Sequence, residues 1–383
     1  MGEKNKRKHI YYLSHYACGE DINKYNVAIP ARKKIDYILF ALEQAGYTVD
    51  IFSIANSKSN VILFPKCVVL NSHVTVRYSL CVNRANKLLS LISSILRYVQ
   101  IVFYILFRVP TNGLFLVYHS NSFIRPIQFA RRIKKIKLII DIEEIYTELF
   151  RTSPKEAQLE KNFLQTGNSY IVVNDILALK YGTMGKSVAV AYGDYRMSYI
   201  PGLTWSDSKI HVVYAGTIEQ KKRGAFTAVE TARLLPQNFK THIIGFGREE
   251  VLSELKQRIV DVNKEQGFES VQFDGFKSGI ELDEYLSRCD IGLSTYVLTD
   301  SFANNSFPSK LMSYVVHNLQ VVTGDAKAFR NAKVSSNWLF YKDYTPESIA
   351  NAIMEYNREK RQSNEVIVKE LNEDFITSLR FIF

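Results

Sequence analysis

The stretch Phe302–Thr323, FANNSFPSKLMSYVVHNLQVVT, decides how this chain is read. A polar, proline-broken loop ends in Ser306-Phe307-Pro308-Ser309-Lys310. A short helical run follows from Leu311 to Val316, and His317-Asn318-Leu319 turns into the apolar strand Gln320–Thr323. Pro308 suits the first turn of a helix, because its missing N–H would have no partner there. The N–H groups freed at that helix start, with Lys310 beside them, predict a site for an anion such as a diphosphate. Taken alone, one loop–helix–strand unit is common in α/β proteins. Its place in a longer series makes it informative.

That series begins about ninety residues earlier. Ile210–Thr217 reads as an apolar strand ending in a glycine turn at Gly216. The basic cluster Lys221-Lys222-Arg223 and Gly224 follow, then a helical run from Ala225 to Leu235. Thr241–Gly247 is a second strand, ending in Gly245-Phe246-Gly247. A charged helix precedes Val271-Gln272-Phe273-Asp274-Gly275-Phe276. Glu281–Arg288 is another helix, and Asp290–Ser294 another strand. Strands alternating with helices predict a parallel, doubly wound sheet. Ligands bind at the carboxyl ends of such strands, where Gly216, Gly245, Gly247 and Gly275 fall.

This ordered set closely resembles the C-terminal domain of retaining GT-B glycosyltransferases of the family 4 type, over about residues 210 to 325. Four short motifs in the right order are more specific than any one, and a lone Gly-x-Gly carries little weight. The resemblance implies an α/β fold with two Rossmann-like, doubly wound parallel-sheet domains facing a central cleft. It makes Gly216, Thr217, Lys222, Arg223, Gly245, Gly247, Phe276, Asn305, Ser306, Pro308, Ser309, Lys310 and Ser313 the expected donor-binding residues. Two departures stand out. Where the family carries two glutamates eight positions apart, this chain has Asn305 and Ser313, and where the family often has Arg it has Thr217. Asn and Ser still hydrogen-bond hydroxyls, but carry no charge.

Composition fits two ordinary domains: 383 residues, 46% hydrophobic and 23% charged. Cys18, Cys67, Cys81 and Cys289 lack metal-like or redox-like spacing, and the seven histidines are equally scattered. No structural metal and no cofactor are expected. The start, MGEKNKRKHI, is basic but lacks the apolar core of a signal peptide.

Charge is uneven. Residues 1–200 hold 27 Lys and Arg against 14 Asp and Glu, net +13, whereas residues 201–383 hold 22 against 24, net −2. No nucleic-acid-binding motif accompanies the excess. An anionic membrane surface or a lipid-diphosphate acceptor matches it better. Within the basic half, Lys87–Arg108 is almost wholly apolar, interrupted by Arg97. It is long enough to span a bilayer, which takes roughly 20 residues. A mid-segment Arg is costly there, so a core helix or a helix resting in the membrane interface are the stronger readings.

The N-terminal half opens with a strand at His9–Ser14. A helix at Arg32–Ala45 carries Ile35, Ile38, Leu39 and Leu42 on one face, Gly46 ends it, and Tyr47–Phe52 is the second strand. Further strands are expected at Leu114–Tyr118, Lys137–Ile140, Ile171–Asn174 and Ala189–Gly193. Two of these run into polar clusters, His119-Ser120-Asn121 and Asp141-Ile142-Glu143-Glu144. The resemblance places acceptor-side groups at such strand ends, which makes Glu143, Glu144 and His119 the candidate catalytic residues. A hydrogen-bonded loop histidine and a solvated acidic helix start are the plainer readings of the same residues. Tyr199-Ile200-Pro201-Gly202 begins the expected joint. The segments then run 1–200 for the acceptor-binding domain, 209–365 for the nucleotide-sugar-binding domain, and 366–383 for a helix packing back on the first.

The function implied is a cytoplasmic glycosyltransferase, peripheral on the inner membrane face. It would move a sugar from a nucleotide-sugar to a glycan or lipid-linked glycan acceptor in surface polysaccharide biosynthesis, with retention of configuration. Two other classes fit less of the pattern: a non-catalytic GT-B-like partner subunit, suggested by the missing glutamates, and a sugar-nucleotide epimerase.

Overall fold

The computed structural model describes residues 7–59, 61–82, 86–149, 152–220, 223–296 and 305–383. The chain divides into two compact units, one made of residues up to Asp194 together with Asn372–Phe383, the other of Tyr195–Leu371.

The first unit runs β1 Lys8–Ser14, β2 Tyr25–Asn26, α1 Ile29–Gln44, β3 Tyr47–Ser53, β4 Asn56–Ser57, β5 Lys66–Val69, β6 Val74–Tyr78 and α2 Lys87–Arg108. It continues β7 Leu114–Tyr118, α3 Asn121–Ile133, β8 Lys137–Ile142, α4 Tyr146–Leu149, α5 Pro154–Leu164, β9 Ser169–Val172, α6 Asp175–Gly182 and β10 Ser187–Val190. Its sheet has the order β10-β9-β8-β7-β1-β3-β6-β5. Every pairing is parallel except β5 on β6 at the edge. Helices cover both faces, so central strands such as Leu114–Tyr118 are apolar without alternation. The apolar face predicted for α1 is the one buried, and Lys34 is buried with it. Ser153 and Glu156 form a capping box that starts α5. The chain's last segment belongs here too: Tyr37 stacks on Phe375 at 5.5 Å, and the Ser169 hydroxyl donates to the Ile382 carbonyl at 2.6 Å.

The second unit runs β11 Ile210–Ile218, α7 Gly224–Ala232, β12 Phe239–Gly247, α8 Glu249–Gln266, β13 Val271–Phe273, α9 Ile280–Ser287 and β14 Ile291–Ser294. After it come α10 Ser309–Val316, β15 Gln320–Gly324, α11 Lys327–Arg330, β16 Leu339–Tyr341, α12 Pro346–Met354 and the start of α13 Glu365–Ile382. The sheet is wholly parallel, in the order β13-β12-β11-β14-β15-β16. α10 ends as its sequence suggests, with Asn318 in the left-handed region at φ 61°. The Pro-Gly stretch is carried by this unit. Trp205 stacks on His211 at 4.9 Å and on His242 at 4.7 Å, and those rings hydrogen-bond across 2.8 Å.

Both sheets reverse strand order once, between β1 and β7 in the first and between β11 and β14 in the second. In doubly wound sheets the ligand crevice opens at that point, beyond the carboxyl ends of the strands.

Candidate functional site

In the second unit, β11 ends at Gly216-Thr217-Ile218 and the chain leaves β14 through Thr295 and Tyr296. Lys310, in the first turn of α10, reaches this point. Its Nζ lies 4.1 Å from the centre of the Tyr214 ring and 5.1 Å from that of Tyr296. A Cβ on Gly216 would stand 3.4 Å from the same nitrogen. Burial holds both phenols above their ordinary range, so they face the ammonium as neutral rings. Tyr314 on α10 fixes the helix to the sheet. Its hydroxyl accepts from the Ala215 N–H at 2.8 Å and donates to the Leu293 carbonyl at 3.1 Å, joining β11 to β14.

Pro308 is the residue preceding the helix rather than its first member, with φ −64°. Ser309 is exposed and Ser313 half-buried; one helical turn separates them, which sets the two on one face of α10. Ser306 and Phe307 are buried, and the Phe307 ring lies 5.7 Å from Phe329. Asn305 is half-buried. Gly245 has a packing reason of its own: a Cβ there would fall 1.8 Å from the Gly216 carbonyl oxygen. Gly247 is similarly close to Ile218. Thr217 is exposed beside them. At the ends of β12 and β13, Phe246 and Phe276 form an edge-to-face pair at 5.4 Å, each about half exposed (49% and 52%).

Arg223 stands at the start of α7 with φ 46°. Its guanidinium covers the Phe226 ring at 4.3 Å and meets Glu254 at 3.4 Å. It therefore lies along the α7–α8 groove and not over the glycine turn. Lys222 lies outside the described residues.

The first unit gathers charge at its own switch point. Glu143 is ion-paired with Lys34, and both side chains are largely buried. Asp141 is fully buried, and its Oδ2 accepts from the Tyr12 hydroxyl at 2.9 Å. Burial, and then the neighbouring Glu143 charge, push the Asp141 carboxyl well above the ordinary carboxylate range.

His119 is buried, with one ring nitrogen hydrogen-bonded and the other facing a carboxylate without a hydrogen bond. Nδ1 donates to the Glu144 carbonyl at 3.0 Å, and Nε2 lies 3.2 Å from Glu160. Burial drives its pKa down. Glu160 also accepts from the N–H groups of Tyr146 and Thr147 at 3.0 and 2.9 Å. His15, just beyond β1, is held by the Ile54 carbonyl at 2.8 Å, and burial lowers its pKa to about 4.

The structure thus brings Lys310, Gly216 and Gly245 together in one unit, and Glu143, Glu144 and His119 in the other. Lys34, Tyr12 and His15 were absent from the sequence-based set, as were Tyr214 and Tyr296. Lys34 carried a readable signal: it lies four residues before Ile38, on the apolar face of α1, where an unpaired lysine is costly. Nothing local marked the others.

No protein-family model matches the sequence, and no curated protein matches it. Solved structures do. The E. coli trehalose-6-phosphate structure bound with UDP-2-fluoro glucose is 13% identical, with 98% of this chain and 100% of that chain covered at a TM-score of 0.67. Sucrose-phosphate synthase from Thermosynechococcus elongatus is 13% identical, with 98% and 95% covered at 0.62. Anabaena HepE in complex with UDP is 12% identical, with 98% and 97% covered at 0.62. These are GT-B glycosyltransferases, and the fold of this chain is GT-B.

Proposed function

We propose that the chain is a glycosyltransferase that moves a sugar from a nucleotide-diphosphate donor to a hydroxyl of a glycan acceptor. The observation that carries this reading is Lys310. Its ammonium lies beside the glycine turn of β11 at the switch point, and the residue itself stands in the first turn of α10. In the reaction, the acceptor oxygen bonds to the anomeric carbon as the bond from that carbon to the phosphate oxygen breaks. The nucleoside diphosphate leaves with the electron pair. A fixed cation and helix N–H groups stabilise the charge it gains, without a metal ion. Ser309 and Ser313 offer hydroxyls on the same helical face, and Phe246 and Phe276 offer aromatic surface for a base. The complexes of similar structures with UDP and UDP-2-fluoro glucose support a uridine donor.

On the acceptor side, Glu143 accepts the hydroxyl proton, with Lys34 holding its carboxylate in place. We further propose retention of configuration, a lipid-linked glycan acceptor at the cytoplasmic face of a membrane, and a place in surface polysaccharide synthesis. The resemblance of residues 210–325 to family 4 enzymes and the basic first half support these finer points.

Thermal unfolding with a panel of nucleotide sugars tests the reading. A ligand at a hundred times its Kd stabilises by about 2.7 kcal/mol. Stabilisation by one nucleotide series, with release of that diphosphate on adding acceptor, is expected. Failure of every nucleotide sugar to stabilise would overturn it. A second reading, a glycan-binding partner subunit, is favoured by Asn305 and Ser313 standing where the family has glutamates. Stabilisation without turnover would select that one.

A further inference from the structure

We propose that α2 and α3 together form a face that docks onto an anionic lipid bilayer, with α2 lying in the plane of the headgroups and not crossing them. This gives the lipid-linked acceptor reading a docking surface. It rests on that reading for its purpose but not for its test.

α2 is long and apolar enough to cross a membrane, yet only 28% of its apolar window is buried. A core helix would bury most of it. The buried side is fixed: Tyr104 stacks on Phe52 at 4.3 Å, and Gln100 hydrogen-bonds both the N–H and the carbonyl of Leu80. At about 100° per residue, Leu88, Ile92, Ile95, Val99, Phe103 and Phe107 share the outer side. All six are exposed, Phe107 by 74%. Arg97, the residue that makes spanning costly, lies on the opposite side of the helix and donates to Asn56 at 2.6 Å. A helix with one side bound to its own sheet cannot be surrounded by lipid, but it can lie in the interface with its free side down.

α3 extends the same face. Its Phe129 ring lies 6.2 Å from Tyr98 of α2, and Phe129 and Ile133 are exposed. Lys134 ties the end of α3 to α2 through the Leu106 carbonyl at 2.6 Å. Exposed cations border the apolar surface: Lys87, Arg108, Arg125, Arg132 and Lys135. The occupant follows from charge. From Ile51 to Ile140 the chain has 13 Lys and Arg and not one Asp or Glu. Apolar rings set among cations, with Glu156 beside Arg125 as the acid that faces one of them, match a surface that is apolar beneath and anionic above.

The test floats the full chain with phosphatidylcholine vesicles, with or without phosphatidylglycerol, across a salt series. Binding is expected only with phosphatidylglycerol, and weaker as salt rises. The double variant Phe103→Glu/Phe107→Glu should abolish flotation. Arg132→Ala/Lys135→Ala should weaken it about twenty-five-fold, at about fivefold per cation. Val260→Glu, an exposed apolar position on α8, should bind as the parent does.

The proposal fails if the parent does not float, or if Phe103→Glu/Phe107→Glu floats unchanged. It also fails if high salt and alkaline carbonate leave the protein on the membrane, which marks a spanning helix. A dimer split by that double variant in sedimentation, with no vesicle binding by the parent, assigns the face to a second copy instead. Stabilisation by nucleotide sugars, read separately, tests the transferase reading and should be the same in every variant.

Discussion

The two sheets have the same winding and opposite edges. At the switch point of the first, charge is dense and met largely from within: Lys34 pairs Glu143, the Tyr12 hydroxyl donates to Asp141, and Glu160 lies beside His119. At the switch point of the second, the backbone is stripped to glycine, one ammonium rests on two phenol faces, and two phenylalanines stand half exposed. The first arrangement pre-orients groups and binds their charge to the fold. The second leaves room and backbone donors for a ligand. Removing a charged group should therefore cost stability in the first unit and affinity in the second.

The largest effect tests the glycine edge. Gly245→Val puts a side chain into the Gly216 carbonyl, where even a Cβ would come within 1.8 Å. A loss of about 3 kcal/mol or more in denaturant unfolding is expected, with or without nucleotide present. A mild loss would mean that β11 and β12 can separate there.

Next comes the buried pair. Lys34→Met strands Glu143 and should cost about 3 kcal/mol of stability, at the low end for such pairs because Glu143 is partly solvated. The double variant Lys34→Met/Glu143→Gln should recover much of that loss while transfer stays low. If Lys34→Met were as stable as the parent, the first edge would not be self-neutralised and the contrast would collapse.

Lys310→Ala should behave the other way. A charge-assisted contact is worth about 1.5–3 kcal/mol. Calorimetry should therefore show at least tenfold weaker nucleotide-diphosphate binding with the melting temperature of the free protein little changed. Unchanged affinity would remove Lys310 from the site.

The smallest effect is on pH dependence. Asp141 has a folded pKa raised above its unfolded value of about 3.9. Its folded state binds the extra proton, so its contribution is fully present below the unfolded pKa. That contribution is lost as pH rises through the folded pKa, at up to about 1.4 kcal/mol per pH unit. Asn at this position keeps the acceptor for Tyr12 and has no charge to bury. Asp141→Asn should thus match the parent in acid, exceed it in stability toward neutral pH, and flatten the slope in urea titrations. A steeper slope would show that Asp141 is ionised in the folded protein.

The sequence by itself determined the alternation of strands and helices in the second unit, the glycine turns at 216 and 245, and the helix that presents Lys310. All of these are local: an apolar run between breakers, or a proline and a lysine within one turn, suffices to set them. Strands β5 and β6 were missed: Val74–Tyr78 alternates in the two-residue period of a strand and was readable, whereas the short Lys66–Val69 gains its structure by pairing with it at the sheet's edge. Tertiary structure alone brought Lys34 to Glu143 and Tyr12 to Asp141, residues more than a hundred positions apart. It also turned Arg223 toward Phe226 and Glu254, and left the outer stripe of α2 uncovered. Residue pattern records which groups dislike water. Which other group answers a buried charge, and which apolar face finds no cover, depends on contacts that chain neighbours do not encode.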